Sequence, residues 1–147
     1  MIKTFRGLLA DGGEDKIRLS TKKGKIGYRI VKFQIFPENP GGASFEYCVK
    51  LFKITQSSVT NTVDFSDGNL LAAALYHAGS GVTDVDSGPV VIFEQETFNQ
   101  DIFITAFENV GSASVNYYLE LEVMSMTDNQ AAVSTLRDIR LNPQVGA

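Results

Sequence analysis

The side chains of this 147-residue chain whose types and spacing could support chemistry are mostly carboxylates. Asp64, Asp67 and Asn69 set acidic and amide oxygens two to three residues apart around Gly68, the kind of hard-oxygen cluster that holds calcium. No glutamate follows at the distance an EF-hand loop needs. The spacing therefore predicts a β-turn over 64–69, with Asp67 and Gly68 taking the positive φ angles. Asp84 and Asp86 could share a cation, but loop solubility explains them better in a 79–89 stretch rich in Gly and Ser. Glu94, Glu96 and Asp101 could cleave a glycoside if held across a cleft. The chain has no Trp for a sugar platform, so these acids are expected to face water from a loop. His77, the only histidine, has the unperturbed pKa of a general base. No Gly-x-Ser-x-Gly elbow accompanies it, and it is expected at the surface end of a strand.

The counts remove further chemistries. A single cysteine, Cys48, excludes an intrachain disulfide and any multi-cysteine zinc or iron–sulfur site within one chain. Thirteen basic against seventeen acidic residues give a formal charge of -4, whereas nucleic acid and anionic lipid both demand a basic face. Neither is expected as a partner. The basic side chains crowd the first quarter, at Lys3, Arg6, Lys16, Arg18, Lys22, Lys23, Lys25, Arg29 and Lys32. No phosphate loop accompanies them, so they are expected to meet the acidic remainder of another copy, head to tail. The apolar run at 8–10 is far shorter than a signal-peptide core, and no stretch approaches the roughly twenty apolar residues of a membrane span. No catalytic residue, cofactor or metal is expected.

The elements that must position these residues are strands. Apolar residues recur at every second position over 27–36 (Val31, Phe33, Ile35), 45–54 (Phe45, Tyr47, Val49, Leu51) and 115–126 (Val115, Tyr117, Leu119, Leu121, Val123). Such alternation marks antiparallel strands with one face buried and one nearer water. Weaker strand signals lie at 16–20, 70–76, 90–93 and 102–107, separated by turn-rich stretches at 11–13, 23–25, 37–42, 64–69 and 79–89. Seven or eight short strands at this spacing predict a single all-β domain over 1–147, an antiparallel β-sandwich of jelly-roll type. Thr127 and Gln130 have the form of a capping box, and Ala132, Val133, Leu136 and Ile139 follow at helical spacing. A short C-terminal helix over 128–140 is expected, ended by Pro143. Ten Phe and five Tyr exceed what one core needs, and Phe52, Phe98 and Tyr118 are expected on the faces opposite the main apolar stripe. Either another chain or a loop of this one must cover them.

Read in order, the segments MIKTFRGLLADGG, GYRIVKFQIFP, NLLAAALY, VIFEQETFNQDIFIT and NYYLELE resemble a family of small, virion-associated proteins of marine tailed bacteriophages. The resemblance spans nearly the full length. It implies a virion structural protein, a minor capsid, decoration or head–tail component, assembled in the host cytoplasm. The family has no catalytic pattern and no defined functional residues to carry over. Partners are then other copies of the chain and other virion proteins, in a homo-oligomer, with no membrane contact. The N-terminal arm, 1–11, is expected to offer itself to a neighbour's sheet edge. The alternatives are a particle-borne host-receptor or carbohydrate-binding module using the 79–89 loop, and a small glycan hydrolase using Glu94 and Glu96.

Overall fold

The computed structural model describes residues 1–21, 24–40, 44–78, 85–86, 88–125 and 136. Along the chain these residues form β1 (Ile2–Leu9), β2 (Glu14–Ile17), β3 (Ile26–Pro37), β4 (Phe45–Phe52), β5 (Leu70–Ala78), β6 (Val85–Asp86), β7 (Val90–Ile92), β8 (Ile102–Glu108) and β9 (Val115–Ser125). The alternation read from the sequence gives each long strand an apolar face, and two antiparallel sheets close those faces on one another. One sheet has the order β1-β9-β3. The other runs β2-β8-β4-β5, with β6 and β7 both pairing with the far edge of β5. The helix expected over 128–140 is not seen, because that segment lies outside the described residues apart from Leu136.

The pairing is nested: β1 with β9, β2 with β8, and β4 with β5. That is the wrapping of a jelly roll, in which the chain folds back on itself and alternate pairs enter alternate sheets. The remaining nested pair would be β3 with β7. These lie side by side, yet β7 gives its ladder to β5. The outer edge of β3 is joined across the seam by an isolated bridge from Tyr28 to Phe98.

Between the sheets, Tyr47, Leu51, Leu71, Ile102, Ile104, Leu119 and Leu121 are almost wholly buried, each side chain contributing roughly 1.5–3 kcal/mol by leaving water. Two expectations about faces are corrected. Val31 does not share a face with Phe33, because a bulge between Ile30 and Lys32 shifts the register. The extra residue turns Tyr28 and Ile30 into the core before it, and Phe33 after it. Phe98 is not on an outer face. It is 1 % exposed, with its ring 6.2 Å from that of Tyr28, because the bridge pulls its backbone into the seam.

The N-terminal segment is a strand of the chain's own sheet rather than a free arm. β1 pairs along its whole length with β9, and its burial is slight because it is an edge strand that sends only Phe5 and Leu9 toward the core.

Candidate functional site

Of the carboxylates singled out above, Asp64, Asp67 and Asp101 hold backbone amides. Asp64 Oδ1 accepts the Ser66 amide (2.9 Å) and hydroxyl (2.6 Å), Asp67 Oδ1 accepts the Asn69 amide (2.9 Å), and the Asp67 amide donates to the Asp64 carbonyl (3.1 Å). The Ser66 bonds, hydroxyl then amide, hold the Asp64 carboxyl below its ordinary pKa. The turn over 64–69 thus forms, but by side-chain capping, since neither Asp67 nor Gly68 has a positive φ. Glu96 pairs with Lys53 at 3.0 Å and Glu94 is exposed. Asp101 Oδ1 accepts the amides of Leu19 (2.7 Å) and Ser20 (2.8 Å) and the Ser20 hydroxyl (2.9 Å), while Oδ2 lies 3.3 Å from Lys16 Nζ. His77 is exposed at the end of β5, opposite Glu46 and Asp86 in the ladders. Asp84 and the side chain of Asp86 lie outside the described residues. Among the described residues no group of three or more His, Cys, Asp or Glu is placed to hold a metal ion.

Sequence reasoning missed three buried charges. Glu108 is 3 % exposed; its carboxylate accepts the amides of Glu46 and Val110 at 3.0 Å each and that of Gly111, closing the turn between β8 and β9. Lys50 is 4 % exposed, donates to the Thr62 carbonyl at 2.6 Å and stands 5.4 Å over the Phe52 ring. Burial lowers its pKa. Lys53 is buried beside Glu96. Lys50 occupies a polar slot of an alternating strand, where the pattern alone predicts water, whereas Glu108 ends the core-facing row of Ile102, Ile104 and Ala106 in β8, opposite Tyr47. What buries Lys50 is the long 53–69 connection, which crosses the outer face of the larger sheet.

That connection is anchored at several points. Glu14 takes the Thr55 hydroxyl (2.5 Å) and the Gln56 amide (2.8 Å), Asn61 donates to Asn109 (3.2 Å), and the Lys53 amide donates to the Asn69 carbonyl (2.8 Å). It covers Cys48, Lys50 and Phe52, all buried. Phe52 therefore needs no second chain; the covering loop is the chain's own. Beside it lies an apolar cleft of about 330 Å³, lined by Cys48, Val63, Phe65, Leu75 and Val91, with Glu46 and Asn109 at the rim. Burial pushes the Cys48 thiol up, outweighing the pull of Lys50, so the cleft offers an apolar floor and no nucleophile. A second cleft of about 440 Å³ follows the open seam, between Ile35 and Phe36 of β3 and Gly88 and Val90.

The outer face of the smaller sheet carries no such cover from the 53–69 connection. Its rows run across β1, β9 and β3 as Ile2–Glu122–Arg29, Thr4–Glu120–Lys32, Arg6–Tyr118–Gln34 and Leu8–Asn116–Phe36. The first two rows pair charge internally: Arg29 Nη2 meets Glu122 at 2.6 Å, and Lys32 meets Glu120 at 3.9 Å while lying 5.9 Å from the Tyr118 ring centre. With the Lys16–Asp101 pair, three of the nine basic residues expected to meet another copy have carboxylate partners within the chain. Lys22 and Lys23 lie outside the described residues. At the other end the face turns apolar, with Leu8 50 % and Phe36 60 % exposed beside Tyr118. This half-charged, half-apolar face, bordered by the edge of β1 that has no ladder partner among the described residues, is the candidate interaction surface. Comparison of the chain with known family models, curated proteins and solved structures finds no match.

Proposed function

We propose that this chain is a virion structural protein of a tailed phage, a minor capsid, decoration or head–tail component that acts by protein–protein contact and not by catalysis. The observation that carries this reading is the outer face of the smaller sheet: an eight-residue edge strand whose outer side has no ladder partner among the described residues, next to exposed Leu8 and Phe36. Such an edge and apolar patch favour association with protein, and repetition at symmetric positions multiplies a modest contact into avidity. The jelly-roll order supports the reading by analogy alone, since the same wrapping serves capsids and lectins. Of the carboxylates that a hydrolase would use, Asp101 is taken up by the amides of Leu19 and Ser20 and by Lys16, and Glu96 by Lys53, which leaves Glu94 exposed without either of them as a second acid.

The test is mass spectrometry of gradient-purified particles of the virus carrying this sequence, with immunogold labelling by antibody to the purified chain. Peptides of the chain at tens of copies per particle are expected. Presence in infected-cell lysate with none in the particles would refute a virion role.

A further inference from the structure

We infer that two copies of this chain pair through β1, edge to edge and antiparallel, about a twofold axis passing beside Phe5. The inference does not rest on the virion reading, because the edge is a property of the isolated fold.

β1 has one ladder partner among the described residues, β9. The Val123 amide donates to the Met1 carbonyl at 2.9 Å, which fixes the phase of the ladder. Odd residues of β1 turn their amides and carbonyls toward β9, and the even ones, Ile2, Thr4, Arg6 and Leu8, turn theirs outward. All four even residues are exposed. Two of the usual guards of an edge, a proline and a bulge, are missing from β1, and the charges it carries are Lys3 and Arg6.

The same phase limits how a second copy can add. Hydrogen-bonded pairs must join even residues to even ones, which leaves three central registers. Centring on Arg6 sets two guanidinium groups against each other. Centring on Thr4 leaves Leu8 beyond the end of the partner strand. Centring on Phe5 sets Ile2 against the partner's Leu8 and Arg6 against the partner's Thr4, with Lys3 opposite the partner's Gly7, the glycine over which the Tyr117 ring lies. Ile2 and Leu8, 48 % and 50 % exposed in the single chain, then cover one another.

Charge favours the same register. Lys16, Arg29 and Lys32 have carboxylate partners within the chain, whereas Arg6 has no ion-pair partner among the described residues. In the pair it lies in one row with the partner's Thr4 and, one strand further, the partner's Glu120, because Thr4 stands opposite Glu120. The guanidinium reaches that carboxylate across the short threonine. The two three-stranded sheets become one sheet, β3-β9-β1 continued by its twofold copy.

The experiment uses the full chain. Sedimentation equilibrium and light scattering from micromolar to near-millimolar concentration are expected to show a dimer. Thr4→Pro deletes an outward N–H and leaves every bond to β9 in place, so it is expected to raise the dimer dissociation constant at least tenfold with an unchanged urea midpoint for the monomer. In a Cys48→Ser background, Phe5→Cys is expected to oxidise to a disulfide-linked dimer. The two cysteines then form a non-hydrogen-bonded pair about 4.5 Å apart at Cα, within disulfide range. A wild-type chain that stays monomeric, or a dimer that Thr4→Pro leaves intact, overturns the inference. Cross-linking through Thr4→Cys or Arg6→Cys in place of Phe5→Cys overturns the register.

Discussion

Replacing Asp101 with Asn keeps the shape of the side chain and removes the charge around which the 16–20 segment is gathered. Oδ1 now accepts from the Leu19 amide, the Ser20 amide and the Ser20 hydroxyl, and Oδ2 faces Lys16. These contacts close the entry to β3 onto the start of β8, across about eighty residues of sequence. Hydrogen bonds to a charged group are worth about 1.5–3 kcal/mol net against about 0.5–1.5 for neutral ones. Neutralising the acceptor of two backbone amides therefore costs on the order of 1–2 kcal/mol. The Lys16 pair, with an ammonium 49 % exposed, adds less than about 1 kcal/mol. With a urea slope of roughly 1–3 kcal/mol/M, the unfolding midpoint of Asp101→Asn at pH 7 should fall by about 1 M. Asp101→Ala should fall further. The pH dependence gives a second handle. Burial pushes the Asp101 carboxyl up, but the hydrogen bonds from Ser20 and Leu19 and the contact with Lys16 together outweigh it and hold the pKa below its ordinary value. A depressed carboxyl stabilises fully above the unfolded pKa of about 4, and that stabilisation is lost as pH falls through the folded value. The gap between wild type and Asp101→Asn should thus be constant near neutrality and narrow below about pH 4. Equal midpoints at pH 7, or a gap that stays flat down to pH 3, would refute the reasoning.

Glu108→Ala leaves the amides of Glu46, Val110 and Gly111 without their acceptor; a loss of about 2–4 kcal/mol is expected by urea unfolding, and a loss under about 0.5 kcal/mol would show that water replaces the carboxylate. Cys48, buried under the 53–69 connection with its thiol pKa raised by burial, should resist an aromatic disulfide reagent at pH 8 and react fully in urea; rapid reaction in the native state would mean the cover is not closed. Burial first, then Glu108, Glu38 and Tyr76, raise Tyr47 to about 12, and burial with Asp15 raises Tyr117 to about 12. Both contributions to stability are complete below the unfolded value of about 10 and vanish as pH rises through about 12. Ultraviolet titration of the phenolate should accordingly show these two tyrosines ionising only with alkaline unfolding, and ionisation of all five near pH 10 in a folded chain would contradict it.

The strands that were legible in the sequence are those whose residue types alternate, whether water (β3, β9) or the 53–69 connection (β4) meets the outer side. β3, β4 and β9 alternate because each has a core on one side, and their observed bounds fall within a residue or two of the expected ones. β1 was missed as a strand because, as an edge, it sends only Phe5 and Leu9 toward the core while Ile2 and Leu8 stand outward, and no clean period survives. Phe98 belongs to no strand and enters the core through a single bridge to Tyr28, a tertiary event without a local signature. Lys50 sits in a slot where alternation promises solvent, and only the distant 53–69 segment decides otherwise; Glu108 lies in the core-facing phase of β8, and its task of accepting the amides of Glu46, Val110 and Gly111 leaves no mark on the period. The candidate surface was half visible. Phe36 and Tyr118 lie off the main stripe in the sequence itself, but their grouping with Leu8 depends on β1 pairing with β9 across more than a hundred residues.

The two outer faces are finished in different ways, and the difference bears on where a partner would sit. On the larger sheet the outward slots of β4 and its neighbours hold Cys48, Lys50, Phe52 and Thr105, none more than 8 % exposed. Ordering a connection as long as 53–69 to cover them costs about 1–2 kcal/mol of backbone entropy per residue. The anchors at Glu14, Lys50 and Asn109, the two aspartate-capped turns and the buried area offset that cost. The cover stops short of Leu75 and Val91, which stay partly exposed at the cleft, and on the other sheet Leu8 and Phe36 stand bare at the end where the cross-strand ion pairs stop. Introducing a charge there, as Phe36→Glu, removes no core contact and should leave the unfolding midpoint within about 0.5 kcal/mol of wild type. If the face is a docking surface, the same substitution abolishes incorporation into particles. A variant that folds normally and still assembles would move the search to the seam beside Val90 and to the cleft above Cys48.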